Sequence, residues 1–143
     1  MKKTQFSLVL INKPGELANL AELLARAEVN IEAMAISDGI HTGVVKVVVD
    51  QPDPARAVFQ EVGLQFSEQQ VLSISLPNTP GGLAELCAQL ARDGLSIDYV
   101  YGSTCSSAGA IGCTCESRLM VSVANLAEAE AAVNMFFGGI PRP

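Results

Sequence analysis

Basic residues are few and scattered in this 143-residue sequence. There are 9 Lys and Arg against 15 Asp and Glu, so the formal net charge at pH 7 is −6. Binding to a phosphate backbone requires clustered Lys and Arg, and Lys2-Lys3 is the single pair of adjacent basic residues. The charge pattern therefore argues against nucleic acid as a direct partner.

Long apolar runs are also absent. No stretch reaches the roughly 18 consecutive apolar residues of a membrane-spanning helix. The run from Phe6 to Ile11 follows two lysines, but it is shorter than the roughly 7–15 residues of a signal-peptide core, and no small-residue cleavage site follows it. It is better interpreted as a strand, and we expect a cytoplasmic protein that has no membrane partner.

Motifs of catalysis and cofactor binding are missing as well. The sequence has no Ser/His/Asp arrangement, no Walker-type phosphate loop and no dinucleotide-binding glycine fingerprint. The single histidine, His41, stands in the turn-like segment SDGIHTG, without a second histidine for metal binding or acid–base chemistry. We therefore expect no enzymatic activity and no cofactor, and we assign no metal ligand.

What the sequence does contain is an internal duplication. The string NKPGELANL at Asn12–Leu20 returns as NTPGGLAEL at Asn78–Leu86, 66 positions later. Over the twenty positions from 12 to 31, ten residues are identical to those 66 positions further on, where chance would give about one or two. The chain is therefore two copies of one unit, which we place at residues 1–70 and 71–143.

Each copy has the same predicted order of elements. A strand-length apolar run ends at Asn-x-Pro-Gly, and apolar residues at helical spacing follow it until Glu28 in the first copy and Gly94 in the second. Two strands joined by a turn then precede a second helix, with Asp53 and Asn125 as candidate N-caps. In the first copy the predicted strands are residues 6–11, 30–36, 43–49 and 64–70, and the second helix is 54–62. In the second copy the predicted strands are residues 71–76, 97–101 and 118–123, and the second helix is 126–137.

The order β-α-β-β-α-β, found twice, indicates the α+β class. It predicts two ferredoxin-like units, each an antiparallel sheet with both helices on one face. Residues 66–76 contain neither Gly nor Pro, so the last strand of the first copy is expected to run straight into the second copy. The second copy ends in GGIPRP, which is too short and too rich in Gly and Pro for a good fourth strand. The edge at Val71–Leu76 is therefore expected to be open, or covered by another segment or another chain.

The two Asn-x-Pro-Gly loops are the candidate binding elements. Gly15 and the pair Gly81-Gly82 leave backbone N–H groups at a helix N-terminus uncovered, and these groups together with the helix dipole suit a carboxylate. Asn12 and Asn78 either cap the turn or donate an amide to a ligand. The other interpretation is purely structural, a strand-to-helix turn with its own cap.

These motifs carry a resemblance to a known family. With Asn-x-Pro-Gly-x-Leu before a helix in both copies, and with V-N-I-E at the second strand of the first, the sequence resembles a tandem pair of ACT domains over about residues 4–70 and 71–140. The resemblance implies a non-catalytic regulatory protein that binds an amino acid or another small molecule and controls a partner such as an enzyme. It also implies a ligand held between two ACT units, with help from the residue that starts the second strand, Asn30 or Ser96.

The predicted ligand-binding residues lie in the two loops and at the start of the two second strands. They are Asn12, Pro14, Gly15, Glu16, Leu17, Asn30, Ile31, Asn78, Thr79, Gly81, Gly82, Leu83, Ser96 and Ile97. Because the second loop is the more open, with Gly81-Gly82 where the first loop carries Gly15-Glu16, we expect it to be the better ligand contact. The alternative from another class is an ACT module that binds no ligand and acts through dimerisation.

A thiol site is the third possibility. Cys105, Cys113 and Cys115 flank the segment SSAGAIG, and three thiolates suit a soft metal or a redox pair. The Cys-x-Cys spacing differs from that of a zinc knuckle, and small residues in a Gly- and Ser-rich hairpin are the other interpretation. Cys87 lies on an apolar helix face, where it is expected to act as a small buried hydrophobe.

The final expectation is a homodimer. Charged residues make up 17% of the chain against roughly 25% in typical soluble domains, while hydrophobic residues make up 49%. Each copy of about 70 residues buries a limited core, so some apolar surface is expected to be covered by a second subunit.

Overall fold

The computed structural model describes residues 1–37, 39, 41–103 and 116–137. The chain divides into two compact units: the first unit is Lys3–Gln70, and the second unit joins Met1–Lys2 to Val71–Pro143. The elements are β1 (Lys2–Ile11), α1 (Glu16–Arg26), β2 (Ile31–Ser37), β3 (Thr42–Val49), α2 (Pro52–Glu61), β4 (Phe66–Pro77), α3 (Gly82–Arg92), β5 (Ile97–Ser103), β6 (Glu116–Val123) and α4 (Leu126–Phe137).

In the first unit the strand order is β2-β3-β1-β4. Strand β3 pairs antiparallel with both β1 and β2, so that Val47 lies opposite Phe6 on one side and Met34 on the other. Side chains alternate between the two faces of each strand. One face of β1 and β3, formed by alternate residues, packs against both helices. Both helices therefore lie on one face of the sheet, as predicted.

The core of the first unit lies between this face and the two helices. Residues at helical spacing, such as Leu20 and Leu24 in α1 and Ala55 and Phe59 in α2, complete it. Full burial of each large apolar side chain contributes roughly 1.5–3 kcal/mol to folding. The buried members are Phe6, Leu8, Leu10, Leu20, Leu24, Val29, Val45, Val47, Val49, Ala55 and Phe59.

The second unit repeats this construction with the strand order β4-β6-β5. Strand β6 pairs antiparallel with β4 and with β5, and α3 and α4 cover the same face. Its buried core residues are Leu72, Ile74, Leu76, Leu86, Leu90, Val121, Val123 and Ala129. Together the two units confirm the α+β, ferredoxin-like class predicted from the sequence.

Strand β4 runs without a break from Phe66 to Pro77, as the absence of Gly and Pro predicted. At Ser73 its edge is covered by another segment of the same chain: the Ser73 N–H donates to the Met1 carbonyl at 2.8 Å, and the Met1 amino group donates to the Ser73 carbonyl at 3.2 Å. The predicted weak fourth strand of the second copy falls in residues 138–143, outside the described residues.

The helix boundaries correct one prediction and support others. Helix α2 begins at Pro52 with Gln51 as its N-cap, so the proposal of Asp53 as N-cap was wrong. Proline is favoured at the first helical position because its missing N–H has no intrahelical partner there. Asn125 does accept a hydrogen bond from the Glu128 N–H at 3.4 Å, as an N-cap should.

Candidate functional site

Helices α1 and α3 each start from a glycine with a positive φ. The φ angles are 93° at Gly15 and 98° at Gly81, and a Cβ atom built on either residue would have no neighbour within 4 Å. Glycine is therefore favoured at both positions because residues with a Cβ atom avoid positive φ angles, and not because a side chain would clash with its neighbours. This need for a positive φ angle explains why Pro-Gly recurs before the first helix of both units.

The first turn of each helix presents backbone N–H groups. The N–H of Glu16 and of Gly82 donates to the carbonyl three residues earlier, at 3.4 and 3.2 Å. The next two residues of each helix have no intrahelical acceptor for their N–H groups, and a glycine N-cap offers no side chain to cap them. These groups and the positive end of the helix dipole favour an anionic group at this point.

Asn12 ties the first loop to the β2–β3 hairpin. Its backbone N–H donates to the His41 carbonyl at 2.9 Å, and its side-chain Nδ2 donates to the Gly39 carbonyl at 3.3 Å. Its counterpart Asn78 has a different partner: Asn78 Oδ1 accepts from the Ser117 hydroxyl at 3.5 Å. Asn12 thus brings the hairpin beside the loop, and the sequence pattern did not reveal this contact.

A pocket of about 130 Å³ lies where the first loop meets the hairpin. The structure brings three predicted site residues to it, Asn12, Glu16 and Leu17. The β2–β3 hairpin forms another wall of the pocket that the sequence did not predict: Ile36, Ser37, Gly39 and Gly43. The remaining lining residues are Leu10, Ile11, Lys13 and Val45.

Lys13 and Glu16 place one positive and one negative charge on this pocket. Among the described residues, neither side chain takes part in an ion pair or a side-chain hydrogen bond. The equivalent positions of the second unit, 66 residues later, are Thr79 and Gly82, which carry no charge. The two loops therefore share a backbone geometry and differ in electrostatics.

The residues at the start of the second strands lie elsewhere in their own units. Ile31 pairs with Val49, whereas the loop end of β1, at Ile11, pairs with Thr42, so Ile31 stands at the opposite end of the sheet. The Asn30 N–H beside it donates to Asp50 Oδ1 at 2.8 Å. Ile31 and Ile97 pack against the cores of their units, and Ser96 is exposed. A ligand role for these four residues stays a prediction.

Comparison with known proteins identifies the fold family. A family model described as the ACT domain pair matches residues 1–116. The chain belongs to this ACT domain pair family. The comparison with curated protein sequences gives no match.

Solved structures with a similar fold match nearly the whole chain. Protein BT0572 from Bacteroides thetaiotaomicron has a TM-score of 0.84 at 25% identity, over 96% of this chain and 90% of that one. The regulatory subunit of aspartate kinase from Thermus thermophilus, in a ligand-free form, has a TM-score of 0.69 at 17% identity, over 97% and 93% of the two chains. The corresponding subunit from Thermus flavus gives 0.62 at 18%, over 96% and 94%.

The second ACT unit carries a tyrosine pair on its edge strand β5. Tyr99 and Tyr101 stack with ring centroids 6.4 Å apart, and they lie opposite Ser122 and Met120 of β6. Both are half-buried. Burial, with a smaller effect of the neighbouring Tyr99, raises the pKa of the Tyr101 phenol to about 12. Neither tyrosine lines the pocket at the first loop.

Cys87 is the one cysteine among the described residues. Cys87 on α3 is a half-buried free thiol, consistent with a small packing residue. The predicted trio Cys105, Cys113 and Cys115 lies outside the described residues. Within the described ranges, no group of three or more His, Cys, Asp or Glu side chains is placed to hold a metal ion. In the same ranges, no helix is both long and apolar enough to cross a membrane.

Proposed function

We propose that this ACT domain pair is a non-catalytic regulatory protein that binds a free amino acid at the loop between the first strand and the first helix. The observation that carries the proposal is the pocket at the Asn12–Leu17 loop, which combines helix N–H groups, an apolar wall and two charges that have no ion-pair partner among the described residues. Pockets of small-molecule sites have this composition, mostly apolar with a few polar groups that fix orientation.

The chemistry of an α-amino acid matches these groups. Its carboxylate suits the N–H groups and dipole at the start of α1, and its ammonium suits a carboxylate such as Glu16. The second loop offers the same backbone N–H geometry at Gly81 and Gly82, so it is a second candidate contact for a carboxylate. The other predicted loop residues, Pro14, Gly15, Asn78, Thr79 and Leu83, shape these two turns.

The similar solved structures support a regulatory role for this chain. Two of the similar structures are described as regulatory subunits of aspartate kinase, an enzyme. We therefore propose that the chain controls an enzyme partner in the cytoplasm through ligand binding, with neither nucleic acid nor membrane as a partner. We also propose that it works as a homodimer, since Val9 leaves apolar surface of β1 exposed.

A screen of the twenty amino acids by thermal shift tests the ligand. A compound that binds the native state alone stabilises it by about 2.7 kcal/mol at a hundred-fold excess over its dissociation constant, which raises Tm measurably. At least one amino acid should raise Tm, and isothermal calorimetry should then confirm binding. If none of the twenty does so at millimolar concentration, the ligand-free dimerisation module becomes the better account.

Sedimentation at micromolar concentration tests the assembly in either case. A homodimer should sediment with twice the 15.0 kDa mass of the chain. A persistent species of the single-chain mass contradicts the homodimer, whatever the amino-acid screen shows.

A further inference from the structure

We infer that the first ACT unit selects an amino acid with an aliphatic side chain of the size of valine, leucine or isoleucine, and binds one such molecule per chain. This inference rests on the proposed function and adds the ligand class and the unit that holds it.

The first support is apolar surface left open at this pocket. Ile11, Leu17 and Ile36 line it and are 52%, 39% and 52% exposed, while Leu10 and Val45 are buried beneath them. Aliphatic side chains thus form both the floor and the rim, and the described residues that line the pocket include no aromatic one. Covering three large exposed aliphatic groups with a ligand's own aliphatic group removes apolar surface from water at about 25 cal/mol per Å².

The second support is size. A cavity of about 150 Å³ lined by leucine, isoleucine and phenylalanine side chains holds benzene, which has six carbons. The present pocket of about 130 Å³ therefore accepts the three or four side-chain carbons of valine, leucine or isoleucine. A charged side chain would lose its hydration against the aliphatic wall without gaining a partner there.

The third support is the charge difference between the units. In the first unit Glu16 offers a carboxylate for the ligand's ammonium, and Lys13 offers an ammonium for its carboxylate, next to the start of α1. Thr79 and Gly82 offer neither in the second unit. Two opposite charges recognise a zwitterion, so we place the single ligand at the first loop and not at Gly81-Gly82.

Isothermal calorimetry on the full chain tests the ligand class. L-leucine, L-isoleucine or L-valine should bind at least about tenfold more tightly than glycine, L-aspartate, L-lysine or L-tryptophan, because each methylene matched by an apolar pocket contributes about tenfold or more. The stoichiometry should be one per chain. 4-Methyl-2-oxopentanoate and isopentylamine, which lack the ammonium and the carboxylate of leucine respectively, should each bind at least about tenfold more weakly than leucine.

Paired variants test the location. Glu16→Gln keeps the size of the side chain and should raise the Kd for leucine about 10- to 100-fold, because a charge-assisted hydrogen bond is lost. Lys13→Gln is exposed, cannot disturb the core and should weaken binding in the same direction. Glu85→Gln, in the first turn of α3, is the matched control and should leave the Kd unchanged.

The outcomes separate the two levels of the proposal. If no amino acid of any class binds, the proposed function itself fails. If an acidic, basic or aromatic amino acid binds best, or if two molecules bind per chain, amino-acid binding stands and the assignment to an aliphatic ligand in the first unit is wrong. The assignment is equally wrong if Glu16→Gln and Lys13→Gln both fold, as judged by circular dichroism, and bind leucine as the natural chain does.

Discussion

Arg56 and Glu68 join helix α2 to strand β4 through two parallel hydrogen bonds. Arg56 Nε donates to Glu68 Oε1 at 2.6 Å, and Arg56 Nη2 donates to Glu68 Oε2 at 2.8 Å. A third bond, from Arg56 Nη1 to Asp53 Oδ1 at 2.5 Å, holds the guanidinium from its own helix. This planar, two-point contact is specific to arginine.

Glu68→Gln should lower the Tm modestly at pH 7 and have little effect in acid. The hydrogen bonds from Arg56 lower the pKa of the Glu68 carboxyl below its ordinary value of 4.5. Stability from this lowered pKa is fully present above pH 4.5 and is lost as the pH falls through the folded-state value. The Tm difference between natural chain and variant, measured from pH 7 to pH 3, should therefore shrink towards pH 3. Because both side chains are about a third exposed, 1 M NaCl should also reduce it. A difference that is constant over this pH range would contradict the charged pair.

Introducing a glycine at position 28 and removing the glycine at position 94 should change stability in opposite directions. The two residues occupy equivalent positions after α1 and α3, with φ of 57° and 69°. A left-handed conformation costs a residue with a Cβ about 1–2 kcal/mol, partly offset by the flexibility of glycine in the unfolded chain. Glu28→Gly should therefore raise the free energy of unfolding by up to about 1 kcal/mol, and Gly94→Ala should lower it by about as much. Urea denaturation measures both, and changes of the same sign would refute this account.

Phe59→Ala should be among the most damaging core substitutions of the first unit. Phe59 is fully buried, and its ring centroid lies 5.3 Å from that of Phe6 and 5.6 Å from that of Phe66. Removing such a ring typically costs about 3–5 kcal/mol, because apolar contact is lost and a cavity remains. Gln60→Ala, exposed on the same helix, is the control and should stay within about 0.5 kcal/mol of the natural chain. A loss below 1 kcal/mol for Phe59→Ala in chemical denaturation would show that this three-ring cluster is not a packed core.

Tyr101 should titrate late in alkaline solution. Burial raises the pKa of its phenol from 10.0 to about 12, so the folded state holds this proton more tightly than the unfolded state does. Stability from this raised pKa is complete below pH 10 and is lost as the pH rises towards 12. The difference in absorbance at 295 nm between the natural chain and Tyr101→Phe should therefore appear near pH 12. If it appears at pH 10 in protein that is still folded, the phenol is not buried.

Much of the fold was predictable because it depends on patterns local to the sequence. The duplication predicted two units, and the spacing of apolar residues predicted the bounds of the strands and helices to within a few residues. The absence of Gly and Pro from residues 66–76 predicted the continuous strand β4, and the glycines at 15 and 81 predicted the turns before α1 and α3. The N-cap of α2 failed because the preference of Pro52 for the first helical position outweighed the preference of Asp53 for a cap.

The pocket was only half predictable, for a different reason. Its loop side, with Asn12, Glu16 and Leu17, carries a recognisable motif. Its hairpin side, with Ile36 and Gly39, does not, because those residues reach the loop through the antiparallel register and the Asn12–Gly39 hydrogen bond. The predicted hairpin order already implied that the β2–β3 turn stands at the loop end of β1, and that inference would have found this wall.

The continuity of β4 bears on how such a protein can be dissected. Cutting the gene between Gln70 and Val71, where the repeat divides, would split one strand in two and would separate Ser73 from its backbone partner Met1. Neither half would then keep the hydrogen bonds it has in the intact chain. Fragments made at the repeat boundary are therefore poor substitutes for single units, and point variants in the full chain are the sound way to assign a property to one unit.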